Sequence, residues 1–273
     1  MTFNIDDSQE FFDVSEIELE DYDKKITQQR KNLKNNMESI LSTNLNSDGS
    51  IEGNQITSEW FPKVKADVFI SHSHNDLRAV KRIAVWLEKK MNLTAFIDST
   101  VWGSADDLLL EIDNEYSILK YDKKGKHTYN YTIRNYTTAH VHMMLSTALM
   151  EMIDSTECLF FINTPHSIKL TDFQERKTRS PWIYNELKVA RVVEKRKPKR
   201  YLTEEYNKIL TSERIFKNYT VPEVAYDVSK ELLKLNHLTR DDLYMWNKLF
   251  DENKSNQVNA LDVLYLKHPV EKR

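Results

Sequence analysis

Ser180-Pro181-Trp182-Ile183-Tyr184-Asn185-Glu186-Leu187 sets an indole and a carboxylate four residues apart. Ser180 can cap a helix by accepting a hydrogen bond from an otherwise unpaired backbone N–H. Pro181 suits the first helical position, where its missing N–H costs nothing. Trp182 and Glu186 then leave the same helix face. An aromatic plane beside an acid suits a ligand built from a flat base and a sugar, such as a dinucleotide. The competing reading is a capped amphipathic helix with one buried Trp and one solvated Glu.

A second segment, Ala66-Asp67-Val68-Phe69-Ile70-Ser71-His72-Ser73-His74-Asn75-Asp76, is a short apolar run that stops at small polar residues. Leu77, Val80, Ala84, Leu87 and Met91 follow at helical spacing. A buried strand that ends in Ser/His/Asn and enters a helix opens an α/β domain, whose ligands bind at the carboxyl ends of the strands. Chain order brings four groups towards that end: Ser71 with His72, Asp98 with the Trp102-Gly103 loop, Thr164-Pro165, and Trp182 with Glu186.

Composition removes several functions. The chain has 273 residues and only four glycines, so it has no Walker loop and no Gly-x-Gly-x-x-Gly turn. ATP hydrolysis on a phosphate loop and standard Rossmann hydride transfer are not expected. A net charge of −3 argues against general nucleic-acid affinity. The basic run Lys195–Arg200 follows a helix, where it complements the dipole. Cys158 is the single cysteine. That precludes an internal disulfide and a multi-cysteine zinc site, and its apolar surroundings suit a small hydrophobe. His72/His74 and His140/His142 are His-x-His pairs, but positions two apart on a helix diverge and no acidic partner sits at a useful spacing, so no metal is expected. A phosphoacceptor pocket built on Asp67 and Asp98 lacks paired acids after the first strand. The amino terminus is acidic and polar, without a signal peptide, and no apolar run could span a bilayer, so the expected location is the cytoplasm with no membrane contact.

The organisation follows from the periodicities. Residues 1–65 read as a helical N-terminal extension and linker, with a helix from about Ser15 to Leu45, a turn at Asn46–Ser50 and a linker or short strand over 51–65. Residues 66–200 read as the central domain. Its strands are near Val68–Ile70, Leu93–Asp98 and Glu157–Asn163, and its helices start near Leu77, Asp106, Thr138 and Pro181. Residues 117–136, rich in Tyr, Lys and Asn, read as an insertion, and 164–179 as loop. Strand–helix alternation predicts an α/β fold with a parallel sheet covered on both faces. Residues 201–273 read as mostly helical, with Thr239 capping one helix.

The segment Asp67-Val68-Phe69-Ile70-Ser71-His72-Ser73-x-x-Asp76 resembles the opening strand of Toll/interleukin-1 receptor (TIR) domains of the bacterial kind. Ala95-Phe96-Ile97-Asp98 with Trp102-Gly103 resembles their second strand and the mobile loop after it. Ser155–Thr164 resembles the third strand, and Ser180–Leu187 the Ser-Pro-Trp-x-x-x-Glu-Leu box. The resemblance covers about residues 66–197. It implies a flavodoxin-like fold and, as in many bacterial members, cleavage of NAD+ as substrate with no separate cofactor. It makes Glu186 the catalytic residue and puts Trp182 near the adenine or in the pocket wall. Ser71, His72, Phe96, Asp98, Trp102 and Gly103 become further substrate-binding positions. It also implies self-assembly with other TIR domains, a downstream effector that reads a nucleotide product, and a role in anti-phage immunity. The chain departs from the family pattern in its long middle, residues 113–136, and in the absence of recognisable fourth and fifth strands after Lys197.

The chemistry of the residues agrees with that implication. Nicotinamide leaves NAD+ as a neutral group from a cationic start, so no acid must protonate it. The barrier lies in an oxocarbenium-like ribose, as in glycoside cleavage. One well-placed carboxylate can stabilise that cation. An indole stacking on a base favours binding by about 1–3 kcal/mol by analogy with nucleic-acid sites. Water as attacking group gives ADP-ribose, and a group of the same molecule gives a cyclic isomer. Two other readings stay open: a non-enzymatic TIR interaction module, and an enzyme like nucleoside 2-deoxyribosyltransferases.

Overall fold

Val68–Ser71 and Cys158–Asn163 are short apolar runs buried along nearly their whole length. Such strands belong inside a parallel sheet rather than at a wet edge. The computed structural model describes residues 1–6, 12–35, 47, 50–102, 104–121, 125–171, 175–193, 226–254 and 258–268. These fall into two compact units. The first comprises Met1–Tyr22, Lys65–Ile97 and Ile153–Arg273, and the second Asp23–Val64 and Asp98–Met152.

The first unit is an α/β structure on a five-stranded, all-parallel sheet. Its strands are β1 (Thr2–Asp6), β2 (Val68–Ser71), β3 (Ala95–Phe96), β4 (Cys158–Asn163) and β5 (Asn236–Leu238), in the spatial order β5-β1-β4-β2-β3. Side chains alternate across the sheet. Phe3, Ile5, Val68, Ile70, Cys158, Phe160 and Ile162 face one core. There they meet Val80, Ile83, Ala84 and Leu87 of the Leu77–Met91 helix, and Leu243, Trp246 and Phe250 of the Arg240–Asn253 helix. Trp246 packs on Trp86 at 5.8 Å and on Phe160 at 6.1 Å, and its indole N–H donates to Ala260 O at 2.7 Å. Phe69 points to the opposite face, against Phe96 at 5.4 Å. A five-stranded parallel sheet flanked by helices is compatible with a flavodoxin-like fold.

The position of β1 corrects the reading of residues 1–65 as a helical extension outside the domain. Thr2–Asp6 pairs with β4 on one side and β5 on the other, and so fills the fourth place in the sheet. Thr-Phe-Asn-Ile-Asp alternates polar and apolar residues with the period of a strand, and Phe3 and Ile5 carry its buried face. The fifth place goes to β5, within the tail read as mostly helical. The long N-terminal helix is Glu16–Asn35, and Gly53–Trp60 is a helix rather than a linker or strand. The run 164–179 is not all loop: Lys169–Thr171 and Glu175–Thr178 form an antiparallel hairpin, joined by Tyr226–Asp227. Thr239 caps its helix in a full capping box with Asp242. Residues 195–200 and 201–225 lie outside the described residues.

The second unit contains the Gly53–Trp60 and Ala105–Tyr116 helices, the hairpin Ile118–Tyr121/His127–Tyr129, and most of the Tyr131–Ser155 helix. The insertion is therefore a hairpin and the first turns of a helix that begins seven residues before the expected Thr138. Buried Asp113 organises it, accepting from Ser117 Oγ at 2.9 Å, Thr137 Oγ1 at 2.7 Å and Arg134 Nε at 3.0 Å.

Candidate functional site

The Pro181–Val192 helix begins as its sequence dictates. Ser180 Oγ accepts from Ile183 N at 3.2 Å, and Pro181 occupies the first turn. Thr178, at the end of the hairpin, accepts from Ser180 N at 3.2 Å and sets the entry of the chain. The helix buries Ile183, Glu186, Leu187 and Ala190. These share one face, so Glu186 lies inside the apolar stripe. Tyr184 stacks on Tyr226 at 4.3 Å, and Lys188 and Arg191 both reach Glu231, at 2.8 and 2.9 Å. These contacts tie the helix to the segment that carries Tyr226 and Glu231.

Ser71 is the last residue of β2, on the sheet face opposite the core of Val68 and Ile70. Its hydroxyl donates to Glu186 Oε2 at 2.6 Å, across 115 residues of sequence. That length lies within the range of an O–H···O hydrogen bond. Ser71 is 1% and Glu186 4% exposed. The helix that carries the indole and the carboxylate thus docks at the carboxyl end of β2. Trp182, four residues before Glu186, is partly exposed.

His72 follows directly. It is buried, its Nδ1 lies 3.2 Å from Ile70 O, and its ring lies parallel to that of His74 at 6.4 Å. Donation from Nδ1 to that carbonyl fixes the tautomer and fastens the loop.

A second constellation, to which the sequence reading gave no role, leaves the ends of β2 and β4. Asp76 is buried, and its Oδ2 accepts from Thr164 Oγ1 at 2.5 Å while its Oδ1 faces His166 Nδ1 at 2.7 Å. Thr164 and Ser167 knit the turn: Thr164 N donates to Ser167 Oγ at 2.9 Å, and Ser167 Oγ donates to Ile162 O at 2.9 Å. Asp76 was visible only as the last position of the strand motif, and nothing local ties it to a residue 90 positions away. Asn4 was missed altogether. It pairs with Phe161, which in turn pairs with Ser71, and its Oδ1 is buried with no hydrogen-bond partner among the described residues.

No family model matches the chain, and neither a curated protein nor a solved structure shows a significant likeness to it.

The remaining expected substrate-binding positions fare differently. Phe96 is 0% exposed and spent on packing against Phe69, so it has no surface to offer a ligand. Asp98 is not the end of a strand but the first residue of the short Asp98–Val101 helix, where its Oδ1 accepts from Ser99 N at 2.6 Å. Trp102 is 2% exposed; in the second unit's core it meets Phe61 edge-on at 5.4 Å and donates to Pro62 O at 2.9 Å. They correct a reading that ended a strand at Asp98 and placed Trp102 in the loop after it. Large aromatics seek burial, and a Trp whose N–H finds a carbonyl can be buried without penalty. Gly103 lies outside the described residues. No group of three or more His, Cys, Asp or Glu side chains among the described residues is placed to hold a metal ion. No helix among them is long and apolar enough to cross a membrane.

Proposed function

We propose that this chain is a TIR-like NAD+ glycohydrolase or cyclase that cleaves the bond between nicotinamide and ribose, with Glu186 as the catalytic carboxylate. The observation that carries the reading is the bond between Ser71 and Glu186. It puts a carboxylate, held in one orientation by a hydroxyl, at the carboxyl end of a parallel strand, where ligands of open α/β sheets bind. A fixed negative charge in such a place costs no reorganisation when positive charge develops on the ribose. Trp182, on the same helix face, supplies a surface on which a base can stack. The proposal includes a cytoplasmic location, activity that depends on self-assembly, and an immune role in which a partner reads the product.

The burial of Glu186 favours a second reading, a non-enzymatic TIR interaction module in which that carboxylate only ties the helix to the sheet. One assay separates the two. Purified protein is incubated with NAD+, with and without a crowding agent, and nicotinamide is measured by chromatography. The enzyme reading requires release by the wild-type chain and its loss, by at least about 10²-fold, in a folded Glu186→Gln protein. Full turnover by that variant would sink the assignment, and absence of release from the wild-type chain favours the interaction module. Mass spectrometry of the second product distinguishes ADP-ribose from a cyclic isomer.

A further inference from the structure

Cleaving the nicotinamide bond leaves a second task, since the group that attacks the ribose must lose a proton. We propose that Asp76 and His166 form a general-base dyad that accepts this proton, an inference that rests on the NAD+-cleavage reading.

The topology gathers both parts. β2 and β4 are adjacent and parallel, with Ser71 opposite Phe161, so their backbones run about 5 Å apart. Ser71, bound to Glu186, ends β2. Asp76 follows five residues later, and His166 lies three residues past the end of β4. The Ser71–Glu186 pair and the Asp76–His166 pair therefore leave the same end of two neighbouring strands.

The local geometry is that of an oriented imidazole. Asp76 is buried and held by Thr164 Oγ1 at 2.5 Å, so its carboxylate cannot swing away. Its other oxygen lies 2.7 Å from His166 Nδ1. A carboxylate at that distance makes Nδ1 the protonated nitrogen, which leaves Nε2 with its lone pair as the basic atom. The His166 side chain remains 54% exposed. A residue needed only as a fastener gains little from so open a ring, because the Thr164–Asp76 bond and the Thr164–Ser167 turn already close the loop.

The step balances. The bond from ribose C1′ to the pyridinium nitrogen breaks, and its electron pair stays with nitrogen, which departs as neutral nicotinamide. Glu186 stabilises the cationic ribose. The water oxygen bonds to C1′ while its proton passes to His166 Nε2, giving an imidazolium paired with Asp76, and then to solvent. NAD+ and water become ADP-ribose, nicotinamide and one proton. Asp76 and Thr164 are positioning residues, and His166 is the catalytic one.

The test uses the full chain with NAD+ and follows nicotinamide release in wild type, His166→Ala, His166→Gln and Asp76→Asn, with circular dichroism as the check on folding. His166→Ala should lose about 10²-fold in turnover, at the low end for general bases because the cation is already electrophilic, and added imidazole should restore part of it. His166→Gln keeps an N–H for Asp76 but has no basic nitrogen, so it should be equally slow, and it stands in should the alanine variant fail to fold. Asp76→Asn should lose at least about tenfold, since an amide can hold the wrong tautomer. Turnover by folded His166→Ala or His166→Gln within twofold of wild type overturns the dyad and leaves the role of Glu186 intact. A loss in His166→Ala that imidazole does not relieve also overturns it, as a structural role would behave so. No release by the wild-type chain defeats the NAD+ reading itself, and the dyad with it.

Discussion

The placement of β1 between β4 and β5 in the sheet can be tested through Phe3. This side chain is fully buried, meets Phe160 edge-on at 5.8 Å and His268 edge-on at 5.6 Å, and stacks on Tyr265 at 6.4 Å. Replacing a buried Phe by Ala costs about 3–5 kcal/mol through lost transfer energy and the cavity left behind. Three aromatic neighbours, each pair worth about 0.5–1.5 kcal/mol beyond area, place Phe3→Ala in the upper part of that range. The strand has partners on both sides, so the surroundings cannot collapse into the gap as they could at an edge. Urea unfolding, followed by the emission of tryptophans that include Trp86 and Trp246 of the same core, is the assay. With a slope of about 3 kcal/mol/M, the midpoint should fall by more than about 1 M. Ile17→Ala, at a 72% exposed position of the same unit, should stay within about 0.5 kcal/mol of wild type. A Phe3→Ala midpoint equal to that of wild type, alongside a large fall for Phe160→Ala, would show that residues 2–6 do not occupy the fourth place in the sheet.

Four further outcomes are expected. Burial pushes the Glu231 carboxyl up, but hydrogen bonds from Lys188 and Arg191 outweigh it and hold it below the ordinary 4.5. The folded state thus favours the ionised form, and this contribution is full above pH 4.5 and is lost as pH falls through the folded value; thermal midpoints against pH for wild type and Glu231→Gln should converge in acid. Removing both cations (Lys188→Met with Arg191→Met) leaves a buried charge unpaired and should cost about 3–5 kcal/mol in urea unfolding. Burial holds the His268 imidazole below its usual 6.5, so the unfolded chain binds the proton more readily; stability should decline as pH drops below about 6.5, and His268→Gln should flatten that decline. Desolvation pushes the buried Cys158 thiol up to about 12, so iodoacetamide should leave it untouched at pH 8 until urea unfolds the chain, and rapid labelling of native protein would contradict its position in the core.

Much of this molecule was written locally. Ser180 as a cap and Pro181 at the first helical position foretold the Pro181–Val192 helix. The apolar runs foretold β2 and β4, and Thr239 foretold the Arg240–Asn253 helix. Each signal acts over a few residues, through a cap, a fixed φ or one side-chain period, and so it survives in a one-dimensional reading. The α/β class followed from their order.

Which strand neighbours which depends on contacts far apart in sequence. The alternation in Thr2–Asp6 marks a strand but names no partner, and only the folded sheet puts it between β4 and β5. Phe96 and Trp102 look like site aromatics until the cores close over them, because burial is a property of the whole packing. The bond from Ser71 to Glu186 and the bonds from Asp76 to Thr164 and His166 span 88 to 115 residues. Sequence alone nominated Ser71 and Glu186 by residue type, and left Asp76 and His166 without a role. Tertiary structure decided which side chains touch, since a hydrogen bond needs two groups within about 3 Å, and no local periodicity sets that distance.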